Sequence, residues 1–223
     1  LIDTHFAVGV KGELAGGFNY DVSYSKGKNE ADFFLKNTVN PSFGPATKRD
    51  FYTGRYTEEE TFINVDLQKQ IDTMSVAFGL EVREEIFSVV SGEYMSYAAG
   101  PYALQGFNVG SHGFAGFSPD SAGNFARDSV GMYVDVENQL SDELLVAGSV
   151  RYEDYDDFGD TTDAKVAVRY QLSDTVALRG SASTGFRAPT QGQANVVNTQ
   201  TTLVGGQLTQ AQTLPGYKLG QPY

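Results

Sequence analysis

Val130-Gly131-Met132-Tyr133-Val134-Asp135-Val136-Glu137 decides the fold. Val130, Met132, Val134 and Val136 are apolar, and the residues between them are small, amphipathic or charged. A period of two marks a β-strand with one apolar and one polar face. After Ser141-Asp142-Glu143 the pattern returns, with Leu144, Val146, Val150 and Tyr152 against Ala147, Ser149, Arg151 and Glu153. Val166, Val168, Tyr170 and Leu172 continue it, then Val176, Leu178 and Ala182 after Ser173-Asp174-Thr175. Upstream, Phe6, Val8, Val10 and Leu14 alternate, as do Phe18, Tyr20, Val22 and Tyr24 after Ala15-Gly16-Gly17. Ile63, Val65 and Leu67 follow, then Met74, Val76, Phe78, Leu80 and Val82 after Asp72-Thr73. The expectation is all-β: an antiparallel up-and-down meander of eight strands of about ten residues, paired through short turns rich in Gly, Asp and Ser. Gln139-Leu140-Ser141-Asp142-Glu143-Leu144 echoes Gln171-Leu172-Ser173-Asp174-Thr175-Val176, one hairpin design used twice.

The connections at the other end are long, at 27–61, 87–128, 154–163 and from 187 onward. Loops of about 35–40 residues argue against a compact soluble domain. Short turns at one end, long loops at the other and strands of nine to eleven residues suit a membrane barrel. Charge agrees: Lys11, Asp21, Glu81, Arg83, Asp135, Glu137, Arg151, Glu153, Lys165, Arg169 and Arg179 share the polar face, leaving the apolar face almost bare of charge. A lipid-facing Arg or Lys costs roughly 2–4 kcal/mol at mid-bilayer, so this separation places lipid outside and water or protein inside. Phe18 and Tyr170 near the short turns, with Tyr24, Tyr152 and Phe186 near the long loops, form two aromatic belts. A soluble β-sandwich with one solvated face per sheet is the alternative reading of the same pattern.

Composition narrows function further. The 223 residues carry 28 acids against 16 Lys plus Arg, a net charge of −12 that excludes a nucleic-acid partner. There is no Cys and there are only two His, His5 and His112, which removes thiolate chemistry and His-rich metal sites. Mean hydropathy is −0.30. No apolar run reaches the roughly 18–20 residues of a membrane helix, and a β-barrel would have none. The chain opens at Leu1 and closes at Gln221-Pro222-Tyr223, which reads as the middle of a longer protein.

Arg179-Gly180-Ser181-Ala182-Ser183-Thr184-Gly185-Phe186-Arg187-Ala188-Pro189-Thr190 resembles the strand end that closes before an extracellular loop in TonB-dependent outer-membrane receptors. Val150-Arg151-Tyr152-Glu153-Asp154-Tyr155-Asp156-Asp157-Phe158-Gly159 resembles that family's segment two strands earlier. The resemblance covers about residues 127–190; upstream only strand pattern and loop size match. It implies a barrel of about 22 strands around an N-terminal plug. It further implies bacterial outer-membrane localisation, contact with lipid and lipopolysaccharide, and uptake of a scarce small-molecule nutrient through a TonB-type energy complex. The whole chain, 1–223, is then part of the barrel domain, without plug or remaining strands. No cofactor and no enzymatic activity are implied. A passive porin-like channel and a soluble structural β-domain are the alternative functions.

Within this frame, Tyr94, Tyr97, Tyr102, Phe107, Phe114 and Phe117 in a Gly-rich loop are candidate ligand contacts, offering stacking area at low entropic cost. The same loop carries Ser111-His112, but chain neighbours rarely meet as nucleophile and base, so catalysis is not expected. Residues 191–214, rich in Gln, Thr and Asn, read as an exposed polar loop. Asp154, Asp156 and Asp157, with Glu153, Asp160 and Asp163 nearby, are candidate cation ligands, although Phe158 and Lys165 break an EF-hand pattern. Counting outward from the turns places Lys11 opposite Asp21 and Arg169 opposite Arg179. The second pair repels itself, which makes Arg169 and Arg179, with Arg187 beyond, candidate contacts to plug carboxylates.

Overall fold

The computed structural model describes residues 1–195, together with the backbone of 198–204 and 207–213. Eight strands form one antiparallel sheet in chain order: β1 (Ile2–Leu14), β2 (Phe18–Leu35), β3 (Phe51–Ile71), β4 (Met74–Ser91), β5 (Gly123–Gln139), β6 (Leu144–Tyr155), β7 (Gly159–Ser173) and β8 (Val176–Ser183). A separate pair, β9 (Asn198–Val204) and β10 (Gln207–Thr213), lies within the segment expected to be loop. Two short helices, α1 (Tyr94–Tyr97) and α2 (Gln191–Asn195), punctuate the connections. Gly16 and Gly17 both take positive φ in the β1–β2 turn, where a side chain would be strained. The register pairs Lys11 with Asp21 and Arg169 with Arg179, as the turn count requires.

The strands are longer than their hydrophobic pattern. β2 has 18 residues, β3 has 21 and β4 has 18, so most of the expected loop 27–61 and both ends of the expected loop 87–128 are strand. The expected loop 154–163 shrinks to the turn 156–158. The reason lies on the apolar face. It runs from Ile71 to Ile63 on β3 and from Met74 to Val82 on β4, roughly 26 Å at about 3.3 Å per residue. Above Tyr24 and Ile63 the same face turns ionic: Lys26–Glu59 (3.3 Å), Lys28–Glu59 (3.5 Å), Arg55–Glu30 (2.8 Å) and Arg55–Asp32 (2.8 Å). The Arg55 hydrogen bond holds the Asp32 carboxyl below its ordinary range against the cost of burial. The outer face there carries charge in place of aliphatic side chains, so the ladder persists without alternation and the period-two signal vanishes. Apart from Lys69, which lies over the Phe18 ring near the short turns, the apolar face is therefore free of charge only along its lower half.

No second layer covers that lower half among the described residues. Val134 (51% exposed), Val150 (50%) and Val166 (56%) stand open, the opposite of a sandwich interior. Phe18–Phe78 and Phe6–Tyr24 ring pairs, with centroids 6.3 and 6.4 Å apart, sit at its two ends. No described helix is long and apolar enough to cross a membrane.

The buried core lies instead on the polar face at the long-loop end, where Phe87, Val89 and Phe117 pack with Phe33, Tyr56 and Phe125. A β-bulge places it. The register slips between Phe33 and Phe34, leaving Thr53 as the extra residue on β3. Thr53 O then accepts from Phe117 N–H (2.9 Å), and Gly92 N–H donates to Phe117 O (3.0 Å). Gly54 beside it takes φ +125°, and a Cβ there would lie 2.4 Å from the Phe117 ring. Glycine is required at that close approach.

Candidate functional site

The polar face is a wall of paired charges that extends upward into caps made by the chain's own loops. Low on the wall, Tyr133 donates to Asp66 (2.6 Å). Beside them Arg151 bridges Glu81 (3.0 Å) and Glu153 (2.7 Å). One tier higher Arg83 joins Glu60 (2.9 Å) to Glu85 (2.7 Å). At the top Arg127, only 3% exposed, clasps Asp157: Nε donates to Oδ1 (2.8 Å) and Nη2 to Oδ2 (2.7 Å). Its third edge donates from Nη1 to the Pro189 carbonyl (2.6 Å). The guanidinium lies over the rings of Tyr155 and Phe158, at 5.7 and 5.2 Å. Burial would raise the Asp157 carboxyl, but hydrogen bonds from Arg127 and Gln191 outweigh it and hold it below the usual range. Burial pushes Glu85 up, more than Arg83 and Arg127 pull it down.

Two segments cap the upper wall. Residues 92–122 form a built unit with the 36–50 connection. Asn40 is fully buried; its side-chain N–H donates to Met95 O (2.8 Å) and Ala98 O (3.0 Å), and its oxygen accepts from Ser42 Oγ (2.7 Å). Ser42 N–H donates to Asn108 O (3.1 Å), and His112 N–H to Val39 O (2.8 Å). This density of cross-links joins the two segments into a rigid platform. The second cap is the segment after β8, whose α2 packs on β4 and β5.

The candidate loop aromatics divide accordingly. Phe117 is buried and stacks on Tyr56 at 4.5 Å, so it anchors the platform. Phe114 touches Phe117 (5.6 Å) and Phe33 (5.7 Å) while staying partly exposed. Tyr94 is exposed, in edge contact with Tyr97 (6.0 Å) and Phe43 (6.3 Å). Tyr102 meets the exposed Phe107 at 6.1 Å. Ser111 is buried, its hydroxyl donating to Phe114 O (2.6 Å), while His112 is exposed, and no hydrogen bond joins the two side chains.

The cation candidates Asp154, Asp156 and Asp157 are corrected. Asp157 is consumed by Arg127, Asp154 stands on the opposite face of its strand, and Asp156 sits in the turn with its N–H on Asp128 O (3.1 Å). The three carboxylates do not converge on one point, and no group of three His, Asp or Glu among the described residues could hold a metal ion. Arg169 and Arg179 share a recess near the short turns with Lys165 and Glu137. Arg169 donates to Gln171 (2.7 Å), and among the described residues neither arginine makes an ion pair with an acid. Arg187 is exposed in the segment after β8. The pivotal residue missed by sequence reading is Arg127, hidden inside an expected loop. Its signal was phase: counting back by twos from Tyr133 through Gly131 and Ser129 lands on it.

A long-stranded meander with an uncovered apolar band on one face and an ionic wall on the other defines a membrane-embedded β-barrel segment. Residues 3–216 match the family described as TonB dependent receptor-like, beta-barrel, and the chain belongs to that family. It is 32% identical over 71 residues to the vitamin B12 transporter BtuB of Vibrio vulnificus, covering 32% of this chain and 12% of that protein. A mutant ferric enterobactin receptor, PfeA, of Pseudomonas aeruginosa superposes with TM-score 0.65 at 14% identity, covering 96% of this chain and 29% of that one. The siderophore receptor PirA of Acinetobacter baumannii gives 0.60 at 14% identity, covering 94% and 29%. The chain thus spans less than a third of the solved receptors' length.

Proposed function

We propose that this chain is part of the barrel wall of a bacterial outer-membrane receptor, of about 22 strands in all, that imports a scarce nutrient with energy delivered through TonB. Family membership carries the reading. The cargo belongs to the class of siderophores, cobalamins or oligosaccharides. Two relatives are named for ferric enterobactin and vitamin B12. The exposed aromatics Tyr94, Phe107 and Phe114, with Tyr97 and Tyr102, offer stacking surface on a rigid platform, while Phe117 supports it from beneath. Lipid and lipopolysaccharide cover the apolar band and the ionic rim above it. The test is uptake by cells carrying the full-length receptor, with labelled ferric siderophores and cobalamin as probes. Saturable uptake abolished by an uncoupler is expected; uptake that is linear with concentration and survives the uncoupler returns the chain to the passive-channel class.

The lower inner wall faces the receptor's own plug in this reading. Lys165, Arg169 and Arg179 line the recess there beside Glu137 and make no ion pair among the described residues, on a chain of net charge −12. Plug carboxylates would be gripped by the guanidinium forks, and Arg187 is a further candidate nearer the mouth. Arg169→Gln with Arg179→Gln in the full-length receptor should then speed proteolysis of the plug in detergent severalfold. Unchanged plug protection, with the barrel still assembled, removes these residues from the interface.

A further inference from the structure

The segment after β8 does not rise away from the barrel mouth. It runs back over the polar face, past β7, β6 and β5, until α2 rests against β4 and β5. Its contacts are specific. Phe186 N–H donates to Asp163 Oδ2 (3.0 Å), and the Phe186 ring packs on Phe158 (5.4 Å). Pro189 O receives Arg127, and Gln191, 5% exposed, donates to Asp157 (2.9 Å). Gly192 is buried where a Cβ would lie 3.4 Å from the Glu58 carboxylate and 3.5 Å from the Phe87 ring. All of these supports except Asp157 and Phe158, which stand in the turn, belong to the strand positions that face inward. Phe117 of the 92–122 platform covers the neighbouring part of the same aromatic floor.

We infer that residues 184–195 form a strap across the upper lumen, latched by the Arg127–Asp157 pair, and that opening the latch uncovers the lumen wall around Phe87 and Glu58. The latch is one cation shared among a carboxylate, a backbone carbonyl and two aromatic rings. Asp157 is the hinge of the arrangement because it holds Arg127 and Gln191 at once, from the wall side and from the strap side. Loss of its charge weakens both connections without removing any atom from the packing. Charge-assisted hydrogen bonds are the strongest of their kind, so such a latch stays shut unless a competing charge or a pull on the strap displaces it. The inference rests on the polar face being the lumen of a receptor, as proposed above.

The native chain contains no cysteine, so a single introduced thiol reports cleanly. Gly192→Cys fits the observed space and places that thiol beneath the strap; Leu104→Cys, at a fully exposed platform position, gives the upper reference. Labelling by a membrane-impermeant maleimide is followed on intact cells carrying the full-length receptor. Leu104→Cys should label fast and Gly192→Cys slowly. Adding Asp157→Asn should speed Gly192→Cys labelling roughly tenfold or more, and Gln191→Ala, which leaves the Arg127–Asp157 pair in place, by a smaller factor. Fast labelling of Gly192→Cys in the otherwise native receptor overturns the strap. An unchanged slow rate with Asp157→Asn overturns the latch, provided Leu104→Cys still labels. Failure of Leu104→Cys to label from outside overturns the receptor orientation itself.

Discussion

Arg127→Leu in the full-length receptor should destabilise the barrel by about 1.5–3 kcal/mol, the worth of the charge-assisted hydrogen bonds of a buried guanidinium. Arg127 is 3% exposed, and its loss leaves the solvent-accessible carboxylate of Asp157 without its two donors from the guanidinium. Glu85, 3.9 Å from Arg127, keeps Arg83 at 2.7 Å and suffers less. The leucine also abandons the Pro189 carbonyl and the faces of Tyr155 and Phe158. Adding Asp157→Asn should cost little more, because the pair is already broken and the exposed turn position tolerates either side chain. The check is the urea midpoint of the detergent-solubilised receptor, read by the gel shift that separates folded from unfolded barrels. A single-variant loss below about 1 kcal/mol, the scale of an exposed ion pair, would show that Arg127 is solvated in the membrane and does not anchor the upper wall.

Leu80→Arg should also be severe, and its severity should depend on which face it occupies. Leu80 lies in the middle of the apolar band, paired with Val65 on β3 and Met132 on β5. Arginine there enters hydrocarbon and costs about 2–4 kcal/mol. Three residues away, Ala77 sits on the other face opposite Asp135 and Gln68. Ala77→Arg meets a carboxylate and water, so its cost should remain within about 1 kcal/mol. Yield of folded receptor in outer-membrane fractions, followed by the same midpoint measurement, separates the two. Equal damage from both substitutions would contradict the assignment of faces.

Legibility in the sequence tracked the solvent. Where lipid meets one face, as from Val130 to Val136 or Met74 to Val82, alternation is strong, and the strands, turns and register follow from it, including Arg169 opposite Arg179. Beyond the membrane rim the outer face meets water and no longer needs aliphatic side chains, so the alternation disappears. Lys26, Lys28, Glu30 and Asp32 occupy lipid-phase positions of β2 beyond the membrane rim, and the strand continues unseen. The same loss hid the first half of β5 and, with it, Arg127. The platform was illegible for another reason: its order comes from buried amide and hydroxyl groups such as Asn40, Ser42 and Ser96, whose partners lie up to 58 residues away. Nothing local in a Gly-rich segment announces such partners. The aspartates at 154–157 are neighbours in sequence only: Asp154 faces outward at the end of β6, and Asp157 in the turn is taken by Arg127.

The central claim is that one face of this sheet meets lipid and the other lines a lumen. A single-cysteine spin-label scan of residues 129–137 on β5, in the full-length receptor reconstituted in bilayers, tests it most directly. Labels at 130, 132, 134 and 136 should be reached readily by oxygen and poorly by a water-soluble nickel chelate. Labels at 129, 131, 133, 135 and 137 should show lower oxygen exposure, giving a clean period of two. A profile without alternation, or with its phase reversed, would contradict the account.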